Sequence, residues 1–157
     1  MPNWCECELT VKKSANWNSQ VSLDELRQAL SGERNGEFTA LDENKLIPYP
    51  EKFAKMDENG DKGFNSGGYE WCIENWGTKW GFCYVNLLVK PESLFYTFET
   101  AWSPPEPLIR KMGELHPEFI FTLKYYEGGM GFKGELVVAN GNVVKDKTFS
   151  YSGNKGG

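Results

Sequence analysis

A chain of 157 residues supplies one core, and at this length about 68 to 70% of the unfolded surface can be buried. The chain holds 6 Trp, 7 Tyr and 10 Phe, and because Trp and Tyr carry polar atoms that want partners, part of this supply is expected to line a pocket or a surface. The formal net charge of −5 is concentrated in residues 1–70, which excludes the long-range field of a general duplex-DNA binder but leaves room for a local anion site.

In chain order, Cys5, Cys7, Leu9 and Val11 alternate with Glu6, Glu8 and Thr10, the period of two that marks a half-buried strand. Ser22 and Glu25 have capping-box spacing and Leu23, Leu26 and Leu30 recur on one helical face, which predicts a helix over 23–31. Residues 32–70 read as a polar, glycine-rich excursion, with an irregular and mobile loop over 57–68. WCIENWGTKWGF then introduces a strand over 82–89, followed by a turn at Lys90, Pro91 and Glu92 and a second strand over 94–102. SPPEP stops that strand, and residues 105–115 read as a helix with Leu108, Met112 and Leu115 on one face, ended by His116 and Pro117. A strand over 119–126, a turn at EGGMG and a returning strand over 132–139 follow, and the Ser- and Gly-rich tail from Ser150 is expected to fray.

This order, without internal repeats, favours an α+β fold: a single ferredoxin-like sandwich over residues 1–157, its antiparallel sheet carrying two helices on one face, with a long excursion after the first helix. Leu9, Val11, Leu26, Leu30, Val85, Leu87, Phe98, Leu108 and Leu123 are the expected core. Val85 and Leu87 compete with Leu88, because strand alternation admits one set to the helix-facing side.

Cys5, Cys7, Cys72 and Cys83 are even in number, but no signal peptide precedes them and no apolar run approaches a membrane span. Free thiols in a cytoplasmic setting are therefore expected. Their spacing lacks the second close pair of a zinc knuckle, and Cys5 and Cys7 share the apolar strand face, so no metal or other cofactor is expected. Asp57, Asn59 and Asp61 alternate as in a calcium loop, yet Lys62 stands where that loop needs Gly and Gly68 where it needs a bidentate Glu.

Four segments carry a family likeness: MPNWC at the start, WCIENWGTKW at 71–80, TAWSPP at 100–105 and YYEGGMGFKG at 125–134. Together they resemble the YubB-like ferredoxin-fold family of bacteriophage and plasmid proteins, along about the whole chain. The chain departs from that pattern at Glu6 and Cys7, where an Asn shortly after the first Cys is more usual, and in its acidic middle loop. The resemblance implies a ferredoxin-like fold and residence on mobile genetic elements, hence in a host-cell cytosol, with no settled activity.

The candidate binding residues cluster in three places. In Asn75-Trp76-Gly77-Thr78-Lys79-Trp80, two rings bracket a flexible backbone, a hydroxyl and a cation, a set able to stack on a base and hold a phosphate; the alternative is that both tryptophans cap the sheet. Trp102 and Ser103 end a strand where Ser103 is placed to cap the second helix, whose N-terminus also favours anions. Tyr126 and Glu127 sit at the base of a glycine turn that matches neither a phosphate loop nor a dinucleotide fingerprint. Nothing selects a catalytic set among Glu70, Glu74 and Glu127, and the single histidine is explained by its place at a helix end, so no catalytic residue is assigned.

These features motivate a non-catalytic binding protein of a phage or mobile element, a counter-defence protein that sequesters a small nucleotide-like ligand. One alternative is an acidic inhibitor that blocks a host protein by direct binding. Another is a small nucleotide-processing enzyme. Single-stranded nucleic-acid binding on the sheet runs against the acidic balance, and neither duplex nucleic acid nor a membrane is an expected partner.

Overall fold

The computed structural model describes residues 3–15 and 20–150. Met1 and Pro2 of the first family segment, and the tail over 151–157, lie outside the described residues. In chain order the elements are β1 (Trp4–Lys13), α1 (Leu23–Leu30), β2 (Gly32–Arg34), β3 (Glu37–Thr39), α2 (Glu51–Glu58), α3 (Gly68–Asn75), β4 (Cys83–Val89), β5 (Leu94–Ala101), α4 (Glu106–Leu115), β6 (Phe119–Glu127), β7 (Phe132–Ala139) and β8 (Asn142–Ser150). Short 3₁₀ turns occupy Glu43–Lys45 and Gly63–Ser66.

The fold is a ferredoxin-like α+β sandwich, with six antiparallel strands in the order β4-β5-β1-β6-β7-β8. β1 is central because its alternation gives it a fully apolar side: Cys5, Cys7, Leu9 and Val11 are buried against Tyr96 and Phe98 of β5 and Phe121 and Leu123 of β6. Helices α1 and α4 cover that side through Leu26, Leu30, Leu108, Ile109 and Met112. Each fully buried aliphatic or Phe side chain there contributes about 1.5 to 3 kcal/mol by leaving water. The other side carries Trp4, Glu6, Glu8, Thr97, Glu99 and Tyr126 and stays partly exposed.

Local signals place the helix ends. Ser22 caps α1, its hydroxyl accepting from the Glu25 N–H at 3.0 Å. α4 begins at Glu106 after Pro105, without a side-chain cap. Ser103 is therefore not the cap expected of it; its hydroxyl donates to the Gly77 carbonyl at 2.6 Å. The contest in β4 resolves in favour of Val85 and Leu87, which pack against the core while Leu88 is exposed.

Four parts of the chain depart from expectation. Residues 57–68 are not an irregular loop throughout: α2 reaches Glu58, a 3₁₀ turn follows, and the Asp57 carboxylate ties them together by accepting from Phe64 N–H at 3.0 Å and Tyr49 OH at 3.2 Å. The WCIEN segment belongs to α3 rather than to a lead-in for β4. β8 adds a strand beyond the expected hairpin. Both unexpected hairpins turn on Asn-Gly: Asn35 and Gly36 join β2 to β3 with φ of 53° and 80°, and Asn140 and Gly141 join β7 to β8 with φ of 55° and 78°. Two successive positive φ values are what a two-residue hairpin of matching twist requires.

Candidate functional site

The segment after β3 folds back toward the β4 edge of the sheet, and a cleft of about 840 Å³ opens between them. Arg34 lines it from β2, Glu43, Tyr49 and Asp57 from the segment, Trp76, Lys79 and Trp80 from the loop before β4, and Trp4 and Tyr84 from the sheet. The size is that of a small-molecule site.

Two bridges hold the cleft in shape. The Arg34 guanidinium donates to the backbone carbonyls of Trp80 and Phe82 and to Glu43 Oε1, the last at 2.8 Å. Glu43 Oε1 also accepts from Phe82 N–H at 3.2 Å. Gly81 lets the carboxylate come this close, since its φ is +78° and a Cβ there would stand 1.8 Å from Glu43 Oε1. Glu43 is only 3% exposed, and burial, outweighing the opposing pull of Arg34, pushes its carboxyl up to about 7. Burial likewise raises the thiols of Cys72, to about 12, and Cys83, so both stay protonated at neutral pH.

The sequence candidates separate sharply. Trp76 is buried; its indole N–H donates to the Ile47 carbonyl at 2.8 Å and its ring packs edge-on to Trp71 at 5.3 Å. It therefore offers no free face for stacking. Thr78 is fully buried and donates to the Ala101 carbonyl at 3.0 Å, so its hydroxyl is not a ligand donor either. Asn75 ends α3, donating from its side chain to Trp71 O at 3.0 Å. Gly77 turns the chain at φ +77°, where a Cβ would meet Pro107 Cδ at 2.6 Å, and its carbonyl receives Ser103.

Lys79, Trp80 and Trp102 do come together. Lys79 Nζ lies 4.6 Å from the Trp80 ring centroid, 5.2 Å from Trp102 and 6.0 Å from Tyr69. Among the described residues no carboxylate pairs with it. Trp80 is 36% exposed and meets Trp4 at 6.0 Å, while Trp4 meets Tyr84 edge-on at 5.4 Å. Trp102 and Tyr84 both have positive φ, +68° and +53°, an uncommon and costly geometry for bulky residues. Around Trp102 it is fixed by Ser103 N–H donating back to Ala101 O at 2.9 Å and by Trp102 N–H donating to Asn3 O at 2.8 Å. Such strain concentrates where a side chain must be aimed.

The remaining candidates lie elsewhere. Tyr126 stands on the open face of the sheet, in a hollow shared with Glu6, Glu8, Tyr84 and Glu99. Glu127 is buried and closes the EGGMG turn, accepting from Gly129 N–H at 2.5 Å and Met130 N–H at 2.8 Å. Its carboxylate serves the turn and is not offered to a ligand. The cleft-lining residues that sequence reading passed over include Arg34, Glu43 and Tyr84; the Asn35-Gly36 turn signal would have placed Arg34 on a hairpin, but nothing local marks its meeting with Glu43.

All four cysteines are free, with Cys5, Cys7 and Cys72 buried. Among the described residues no group of three or more His, Cys, Asp or Glu is placed to hold a metal. No helix among them is long and apolar enough to cross a membrane. Burial lowers the pKa of His116 at the end of α4, which favours its neutral imidazole.

A family model described as the ferredoxin-like domain in Api92-like protein matches residues 75–155. The match takes in Lys79, Trp80, Tyr84 and Trp102, whereas Arg34 and Glu43 lie before it. Among solved structures, the chain is similar to the crystal structure of protein Api92 from Yersinia pseudotuberculosis, with a TM-score of 0.56 and 16% sequence identity over 74% of this chain and 42% of that one. At that identity the likeness shows the fold, and the present chain spans 42% of the length of that protein. No curated protein matches.

Proposed function

The chain belongs to the family of ferredoxin-like domains of Api92-like proteins, and on that premise we propose that it binds a small nucleotide-like ligand in the cleft between the segment after β3 and the β4 edge. The observation that carries the reading is the pairing of Trp80, a partly exposed ring, with Lys79, a cation in ring contact that has no carboxylate partner among the described residues. A ring and an adjacent ammonium match the two halves of a nucleotide, the base plane and the phosphate. Trp102 is a second ring in contact with the ammonium, its centroid 5.2 Å from Nζ.

Resemblance to the YubB-like proteins of phages and plasmids supports a setting in a host cytosol, where sequestering a nucleotide signal of host immunity is the counter-defence role for such a site. Binding without turnover is the primary reading. A second reading has its own support: Glu6 and Glu99 face each other across β1 and β5 on the open side of the sheet, beside Glu8, Tyr84 and Tyr126. Burial and the Glu6 charge raise the Glu99 pKa, so this acidic, aromatic surface suits a basic site on a host protein.

A thermal-shift screen with mononucleotides and cyclic dinucleotides, followed by chromatography of the recovered ligand, tests the primary reading. A binder present at 100 times its dissociation constant stabilises the fold by about 2.7 kcal/mol. A stabilising nucleotide recovered intact supports binding; a converted one moves the chain to the enzymes; no shift with any nucleotide leaves the acidic surface as the better reading.

A further inference from the structure

The cleft is also lined by a carboxylate, Glu43. Glu43 is almost wholly buried, and its Oε1 is committed to Arg34 Nη2 and Phe82 N–H. The carboxyl also accepts from the backbone N–H of Glu43 itself. Oε2, which takes no hydrogen bond from another described residue, keeps lone-pair capacity for a further donor, and Glu43 lines the cleft together with Trp80. Its position is fixed by the two donors on the sister oxygen and by the missing Cβ of Gly81. The same Arg34 that orients it donates to the Trp80 carbonyl, so the carboxylate and the stacking residue are tied through one guanidinium.

We propose that Glu43 reads the base of the bound nucleotide, Oε2 accepting from an exocyclic amino group, so that the cleft selects amino-bearing bases such as adenine over carbonyl counterparts such as hypoxanthine. The proposal rests on the nucleotide reading of the cleft. An ionised carboxylate accepts and cannot donate. An amino group facing it forms a charge-assisted hydrogen bond, whereas a ring carbonyl in the same place leaves two acceptors opposed and unpaired. One oxygen not taken by another residue suits one further N–H donor; the two adjacent donors of guanine would need both oxygens, and Oε1 is taken. Arg34 is spent on Glu43, Trp80 O and Phe82 O, which leaves Lys79 to meet the phosphate.

Protonation supplies an independent signature. The carboxyl of Glu43 titrates near 7, and a protonated carboxyl can donate to a carbonyl. The charged and titratable groups around it are Arg34 on β2, Asp42 on its own turn, Cys72 on α3 and Cys83 on β4, with Glu33, Tyr49, Asp57, Lys79 and Tyr84 on the cleft. Both thiols are raised by burial, so neither changes charge between pH 6 and 8.

The test is calorimetric titration of the full chain with 3′,5′-cyclic AMP and 3′,5′-cyclic IMP, whose phosphodiesters do not titrate in this range. At pH 8 the adenine probe should bind at least about tenfold more tightly than the hypoxanthine probe. Glu43→Gln, whose amide can turn its N–H toward a carbonyl, should remove most of that preference. In the unmodified protein the preference should narrow as the pH falls to 6, a readout that stands even if the variant does not fold. Equal affinities at pH 8, or a preference indifferent to pH, would overturn the role of Glu43 and leave nucleotide binding standing. Failure of both probes and of every nucleotide in the thermal-shift screen would overturn both.

Discussion

The helix-covered side of the sheet and the cleft beside β4 draw on the same supply of aromatic residues and use it in opposite ways. Beneath the helices, Phe119, Phe121 and Tyr96 are fully buried, and a ring there contributes by leaving water. At and beside the cleft, Trp80, Tyr84 and Trp102 stay exposed, two of them on backbone of positive φ, with a lysine ammonium within 5.2 Å of both tryptophan rings. The contrast is sharpest between Trp76 and Trp80, four positions apart. Trp76 has its indole N–H satisfied and its ring covered, while Trp80 is 36% exposed. A large ring in a loop thus reports nothing until its polar atom and its neighbours are known.

Substitutions should reproduce this division. The largest effect is expected at the buried ring: Trp76→Ala should cost about 3 to 5 kcal/mol in urea unfolding, since it opens a cavity and strands the Ile47 carbonyl. Trp80→Ala should cost under about 1 kcal/mol by the same measurement, and comparable losses at the two positions would erase the distinction.

Next comes the buried carboxylate. Because the folded-state pKa of Glu43 is raised from 4.5 to about 7, its contribution to stability is fully present below pH 4.5 and is lost as the pH rises through 7. That loss is about 3 kcal/mol. His116, whose pKa is lowered, works in the other sense, its contribution fading as the pH falls below its ordinary 6.5. Subtracting the stability profile of Glu43→Gln from that of the unmodified protein between pH 4 and 8 isolates the carboxylate; superimposable profiles would show that Glu43 is not held neutral.

A smaller effect is expected at the turn that joins the two regions. Gly77→Ala should cost about 1 to 3 kcal/mol, from positive φ and the approach of Pro107. The smallest is at the cap of α1, where Ser22→Ala should cost about 1 kcal/mol and leave the cleft untouched.

What the sequence made legible follows the same division. β1, α1 and α4 each carry their burial pattern within a short window, so Cys5 to Val11, Leu26 with Leu30, and Leu108 with Met112 announce their faces locally. β8 carries no such pattern, since every residue from Asn142 to Ser150 is exposed, and its only announcement is the Asn140-Gly141 turn. The candidate cluster was partly legible: Lys79, Trp80 and Trp102 meet because the 75–80 loop packs on the turn before α4. Thr78, Trp76 and Glu127 carry the same chemistry in sequence but spend it on Ala101 O, Ile47 O and the EGGMG turn. The Arg34–Glu43 pair and its reach to Trp80 and Phe82 are tertiary facts, set by where the segment after β3 lands rather than by any spacing within it.

The claim that Trp80 and Lys79 serve a ligand rather than the fold is tested most directly by measuring melting and nucleotide affinity on the same preparations of Trp80→Ala and Lys79→Ala, with a nucleotide that stabilises the unmodified protein. The account predicts that both variants stay folded, that Trp80→Ala weakens binding by about 1 to 3 kcal/mol through the lost stack, and that Lys79→Ala weakens it in a way that diminishes as salt is raised. A Trp80→Ala protein that unfolds, together with a folded Lys79→Ala protein of unchanged affinity, would contradict it.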